Sequence, residues 1–181
     1  MLTEFVRDHA FTIAWFGLMA VVWFGWGQED PPDSWRWKLG VGSGLGVVLA
    51  GLFGYGMVIR WNEGGALDGQ EAVFGQLVGA EVLLAGLGCL WLWRSRRTRW
   101  SAWWVALVVA LHFVPLAFIL RDWSLVGLGL LQAIGLAALM PRLRRADGPT
   151  SRLVGPLMGV SLLGFGLLSS VVFLVRSGTP W

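Results

Sequence analysis

Three strongly polar side chains, Glu81, His112 and Gln132, lie deep inside long apolar stretches of this 181-residue chain. Counted along a helix at about 1.5 Å per residue, each lies roughly 12–14 Å from one end of its stretch. A carboxylate in hydrocarbon is costly unless it is neutral, paired or hydrated. Glu81 and His112 can titrate as a coupled pair, and Gln132 can both donate and accept hydrogen bonds. This polar layer is the candidate substrate or proton site.

Two further features bear on this layer. Tyr55 lies nearer one end of the preceding stretch, where it could line an opening toward Glu81, and it is the fourth candidate site residue. Pro115 follows His112 by three residues and cannot donate a backbone hydrogen bond, so it is expected to kink its helix and free a carbonyl there. The alternative is a structural clasp, in which the polar network only fixes how the helices pack. Asp8, His9 and Arg60 lie near the same end as Tyr55 and could line the same opening toward Glu81.

The composition predicts the elements that hold these residues. Hydrophobic residues make up 56% of the chain and charged residues 14%, whereas a soluble domain carries about 25% charged residues. A membrane-spanning helix needs about 20 mostly apolar residues, and backbone groups in hydrocarbon must be satisfied within the segment. We therefore predict an all-α bundle of six transmembrane helices in a single domain, 1–181. The spans run near 6–26, 39–60, 72–93, 101–120, 123–140, which Pro141 ends, and 153–175.

The basic residues predict the orientation of the bundle. Ten of the 14 lie in links on one side of the membrane, and the positive-inside rule places that side in the cytoplasm. Both termini are then extracytoplasmic. Most tryptophans fall on the same side, where an indole prefers the lipid headgroup level. The ten are Arg36, Lys38, Arg94, Arg96, Arg97, Arg99, Arg142, Arg144, Arg145 and Arg152.

Glycines four residues apart predict close helix packing. Span three contains Gly75 and Gly79, span six contains Gly155 and Gly159, and span two is rich in glycine throughout. Small residues at this spacing let two helix backbones approach. Contacts within the chain are favoured over a seam between chains. The expected partners are membrane lipids, with a homo-oligomer or a partner membrane subunit as further options.

Several classes of protein are disfavoured by the sequence. The chain has no Ser–His–Asp arrangement, phosphate loop or HExxH motif, so we expect no enzyme and no catalytic residue. His112 is the only deep histidine and Cys89 the only cysteine, so we expect neither a metal nor a cofactor. The arginines lie between apolar blocks, which disfavours nucleic acid as a partner.

Two segments carry a resemblance to a known kind of protein. They are Trp23-Phe24-Gly25-Trp26-Gly27-Gln28-Glu29-Asp30-Pro31-Pro32 and Leu111-His112-Phe113-Val114-Pro115-Leu116-Ala117. Both resemble segments of small multi-spanning membrane proteins of actinobacterial type. The resemblance covers two of the six spans and implies a bacterial plasma membrane. It brings no activity with it.

The sequence thus favours a multi-pass protein of the bacterial plasma membrane. The leading hypothesis is a small proton-coupled transporter or channel-like protein that uses Glu81, His112 and Gln132. The first alternative is a structural or accessory subunit that packs through its glycine-rich helix faces. The second is a lipid-binding protein that uses the tryptophan-rich cytoplasmic side.

Overall fold

The computed structural model describes residues 5–181, which form six long helices and, within that range, no strand. All six are long and apolar enough to cross a membrane, so the prediction of an all-α fold with six such helices is confirmed. A turn of 3₁₀-helix, Thr98–Trp100, precedes the fourth helix. The helices are α1 (Val6–Gly27), α2 (Asp33–Ile59), α3 (Glu71–Arg94), α4 (Ser101–Ile119), α5 (Ser124–Arg145) and α6 (Ser151–Ser177).

The helix ends differ from the predicted spans at two prolines. α2 begins at Asp33, six residues before the predicted span, because Pro32 in extended conformation can precede the first turn without losing a needed N–H. The prediction that Pro141 ends α5 is wrong, since the helix continues to Arg145. Proline removes one hydrogen bond from a helix, and near a helix end water can satisfy the carbonyl left free.

α1 packs between α2 and α6 over most of its length. A β-carbon added to Gly155 of α6 would fall 2.7 Å from the Cα of Gly27 on α1, and one added to Gly159 would fall 2.6 Å from the ring of Phe24. These contacts confirm the predicted packing through the glycine pair of span six. They also draw the beginning of α6 to the end of α1.

α4 connects the group formed by α1, α2 and α6 to the other helices, because it packs against α6 as well as against α5 and α3. α3 lies at the edge, with α4 as its main neighbour, and Leu92 is its one buried residue. A β-carbon added to Gly75 or Gly79 would meet no atom within 4 Å. The expectation that these glycines pack within the chain is therefore wrong, since the face that carries them points away from α4.

Three links meet at one end of the bundle, which we call the arginine-rich end: 28–32, 95–97 and 146–150. The backbone N–H of Thr150 donates to the carbonyl of Arg99 at 2.9 Å, and the hydroxyl of Ser151 donates to Oε2 of Glu29 at 2.5 Å. The links 60–70 and 120–123 lie at the opposite end. The arginine-rich end is therefore tied together by polar contacts between its links.

Candidate functional site

One face of α3 carries Glu81 toward α4. Leu77, Glu81, Leu84 and Gly88 recur every three or four residues, so they share one side of the helix. Glu81 lies ten residues from the first residue of α3, which is about 15 Å along the axis. α4 presents His112 to this face from a similar depth. The two residues therefore lie well inside the apolar part of both helices.

The side chains of Glu81 and His112 meet between the two helices. Nδ1 of His112 lies 3.1 Å from Oε2 of Glu81. The oxygen lies off the direction in which Nδ1 forms hydrogen bonds, so the contact has ion-pair distance without hydrogen-bond alignment. The side chain of Glu81 is 23% exposed and that of His112 is 10% exposed.

A cavity of about 260 Å³ adjoins the pair. Its other walls are apolar side chains of α3 and α4, among them Leu77, Leu84 and Leu111. Pro115 also lines it, and its ring removes the N–H that would bond the carbonyl of Leu111. Glu81 and His112 are thus the ionisable groups of an otherwise hydrophobic chamber.

Trp104 lies on the side of the chamber toward the arginine-rich end. Its indole N–H donates to the carbonyl oxygen of Leu84 at 3.0 Å, and its ring packs against Gly88, where a β-carbon would clash with it. The same ring lines a second cavity nearer that end. Trp104 therefore separates two spaces within one groove between α3 and α4.

Gln132 does not join the pair. It is fully buried on α5, where Nε2 donates to the hydroxyl of Ser161 on α6 at 2.9 Å. Ser161 in turn donates to the carbonyl of Met158 at 2.9 Å, and Oε1 of Gln132 has no hydrogen-bond partner within residues 5–181. Glu81, His112 and Gln132 lie at similar depths, but they form two separate contacts and not one network.

Tyr55 also lies apart from the pair. Its side chain is 59% exposed on α2, a helix that packs against α1 and α6. Tyr55 does not line the chamber beside Glu81 and His112. The structure thus brings together two of the four residues that the sequence selected.

Sequence reasoning missed a buried polar contact between α1 and α6. Nε2 of His9 lies 2.9 Å from Oγ of Ser169, and both residues are buried. His9 was expected near an opening toward Glu81, yet its ring packs on Phe173. The sequence did contain a signal for this contact. The apolar helix α6 carries Ser161 and Ser169 at helical spacing, and a buried hydroxyl needs a hydrogen-bond partner.

Asp8 and Arg7 hold the link between α2 and α3. Oδ2 of Asp8 accepts a hydrogen bond from the backbone N–H of Ala66 at 2.5 Å, and Nη1 of Arg7 donates to the carbonyls of Trp61 at 3.2 Å and Glu63 at 2.5 Å. Arg60, the other polar residue expected near an opening, donates to the carbonyls of Gly56 and Pro180. These residues fasten the end of the bundle opposite the arginines.

The geometry therefore offers one acid–base pair in an apolar chamber. Such a pair can hold a single proton and remain electrically neutral, or release it when another positive charge takes its place. The comparisons with known proteins do not add to this reading. The chain matches no protein-family model, no curated protein and no solved structure.

Proposed function

We propose that this chain is a multi-pass protein of a bacterial plasma membrane that exchanges protons for a small, largely apolar organic cation. Glu81 and His112 form the exchange site. The observation that supports this proposal is their 3.1 Å contact at the wall of an apolar chamber. Gln132 and Tyr55 are not part of the proposed site.

The coupling follows from the cost of charge in apolar surroundings. With one shared proton, the Glu81–His112 pair is neutral. Loss of that proton leaves a net negative charge, which costs several kcal/mol in hydrocarbon unless a positive charge lies beside it. A cation in the chamber supplies that charge, so cation binding and proton release go together, one for one.

The chamber also suits the body of such a cation. Its leucine walls favour an apolar skeleton over a sugar or an amino acid. The walls offer no hydrogen-bond partner for the further polar groups of those molecules, and burying such groups unpaired is costly. Trp104 lines the same chamber, and an indole ring can contribute a cation–π contact. Its volume of about 260 Å³ is close to the lower end of ligand pockets, about 300 Å³, which favours a small molecule.

The proposed orientation places the arginine-rich end in the cytoplasm, in accord with the positive-inside rule. Positive charge at that end repels a cation, and Trp104 lies between that end and the chamber. The cation therefore enters the chamber from the opposite end of the bundle or from the side, between α3 and α4.

A liposome assay tests this function. The purified protein is reconstituted with an acidic interior, and uptake of radiolabelled N-methyl-phenylpyridinium is followed. We expect gradient-driven uptake with the native protein. Glu81→Gln should reduce uptake to that of empty liposomes, because the charge partner is lost. His112→Gln should reduce it less, since Glu81 still binds the cation.

The matched control is Glu71→Gln, the same substitution at the exposed first residue of the same helix. It should leave uptake unchanged. Retention of gradient-driven uptake by Glu81→Gln would overturn the proposal. Absence of any uptake by the native protein under the gradient would overturn it as well.

A second candidate function is that of an accessory subunit, because the outer face of α3 has no neighbour among residues 5–181. Gly75, Gly79 and Gly86 lie along this face with no atom within 4 Å of an added β-carbon, and Val82 is 64% exposed beside them. Glycines in such a stripe let a second helix approach closely. Purification in mild detergent distinguishes the two functions. A partner membrane protein at fixed stoichiometry, lost in Gly79→Ile, supports the accessory role.

A further inference from the structure

A second cavity, of about 650 Å³, lies at the arginine-rich end between the end of α3 and the start of α4. The chain reverses there within a few residues, because α3 ends at Arg94 and the 3₁₀ turn begins at Thr98. Arg96 takes the left-handed conformation needed for this reversal, with φ of 56°. The tight turn brings neighbouring arginines to one opening.

Three arginines line this cavity: Arg96, Arg97 and Arg99. No carboxylate lines it, and within residues 5–181 none of the three forms an ion pair. Such a concentration of unpaired positive charge attracts an anion, and a guanidinium matches the geometry of phosphate oxygens. The anion that this cavity attracts is therefore opposite in charge to the cation proposed as the ligand of the Glu81–His112 chamber.

The guanidinium of Arg99 is held in place. Nη2 donates to the carbonyl of Leu143 on α5 at 2.6 Å, and the guanidinium carbon lies 5.3 Å from the centre of the Trp100 ring. Its Nε and the indole N–H of Trp103 are buried without a hydrogen-bond partner anywhere in 5–181. These two atoms have almost no accessible surface, so they do not open into the cavity, and Arg99 contributes to it through its positive charge.

The rest of the lining is apolar and aromatic, with Trp91, Leu92 and Trp100 among its members. A volume of about 650 Å³ lies within the range of ligand pockets, about 300–1,000 Å³. Tryptophan faces beside arginines suit an amphiphile, whose polar head meets the guanidinium groups while its carbon chains lie against indole. This end of the helices also lies at the headgroup level if the six helices span a membrane.

We infer that this cavity binds the headgroup phosphate of an anionic glycerophospholipid. Arg96 and Arg97 contact the phosphate from the open side, and the fixed guanidinium of Arg99 adds positive charge to the wall of the cavity. The acyl chains leave between α3 and α4 along the tryptophans. This site is independent of proton exchange at Glu81, since Trp104 separates the two cavities.

Native mass spectrometry of the purified chain in neutral detergent tests the inference. Phosphatidylglycerol, phosphatidylcholine and inorganic phosphate are each added at equal concentration. We expect one phosphatidylglycerol per chain, bound at least about tenfold more tightly than phosphatidylcholine, since two arginines attract an anionic headgroup more strongly than a zwitterionic one. Inorganic phosphate should neither bind detectably nor displace the lipid.

The double variant Arg96→Gln/Arg97→Gln should lose this preference. The matched control, Arg142→Gln/Arg144→Gln, removes two exposed arginines from the same end but outside the cavity, and it should keep the preference. Equal binding of the two lipids, unchanged preference in the Arg96/Arg97 variant, or displacement by inorganic phosphate would each overturn the lipid site.

Discussion

Gly17 of α1 and Gly46 of α2 lie backbone against backbone. A β-carbon on Gly17 would stand 2.7 Å from the carbonyl oxygen of Gly46, and one on Gly46 would stand 2.6 Å from the carbonyl oxygen of Gly17. Neither position has room for a methyl group unless the helices separate. This reciprocal contact sets the distance between α1 and α2.

Gly17→Ala and Gly46→Ala should therefore each destabilise the protein, by about 1–3 kcal/mol, the usual cost of overpacking. Gly44→Ala on the same helix is the control, because nothing lies within 4 Å of its added β-carbon. It should be neutral or stabilise by up to about 1 kcal/mol, since alanine favours helix over glycine. Thermal unfolding in detergent, followed by circular dichroism, measures the three changes. Equal Tm values for Gly46→Ala and Gly44→Ala would contradict this contact.

The bond between His9 and Ser169 predicts a similar contrast on α6. Ser169→Ala removes the partner of a buried imidazole, so it should cost about 1–3 kcal/mol. Ser170→Ala is the matched control, because that hydroxyl donates to Leu167 of its own helix and frees no buried side chain when it is lost. Its cost should be below about 1 kcal/mol. The midpoints of unfolding in denaturant report both values, and a larger loss in Ser170→Ala would contradict the role of Ser169.

The fold was predictable because its signal is local. Each long apolar run forms its own helix, whatever lies beside it. The Glu81–His112 contact was predictable for a related reason: both residues lie on consecutive helices joined by a short link, and such helices usually pack together. Their similar depths then brought the side chains to one level.

The rest of the site depended on the rotation of each helix, which no local pattern specifies. Gln132 lies at the predicted depth but faces α6, where it bonds Ser161. The glycines of α3 have the spacing of a packing face, yet the helix turns Glu81 and not Gly79 toward α4. These rotations follow from the combined packing of all the helices, since apolar surface alone does not select a face in lipid.

The link between α2 and α3 should open when Asp8 is replaced. Its carboxylate accepts the backbone N–H of Ala66, so Asp8→Ala leaves that amide without its acceptor. Hydrogen exchange in the segment 64–68 should become faster, while exchange in the middle of α1 stays unchanged. Asp33→Ala, at the far end of the bundle, is the control and should leave this segment as it is. Unaltered exchange at Ala66 in Asp8→Ala would contradict the contact.

The substitution Gln132→Leu tests whether the contact between Gln132 and Ser161 is separate from the proposed exchange site at Glu81 and His112. The buried Oε1 of Gln132 has no partner within residues 5–181, and Ser161 retains its bond to Met158 when the amide is removed. Replacement by an apolar side chain of similar size should therefore change stability by less than about 1.5 kcal/mol, in either direction.

The same variant should leave cation uptake and its dependence on the proton gradient at native values, because Gln132 contacts α6 and not Glu81 or His112. Tm and liposome uptake are measured on one preparation, beside Glu81→Gln. If Gln132→Leu lost coupled uptake while it kept its Tm, the exchange site would extend to α5 and the assignment to Glu81 and His112 alone would be wrong.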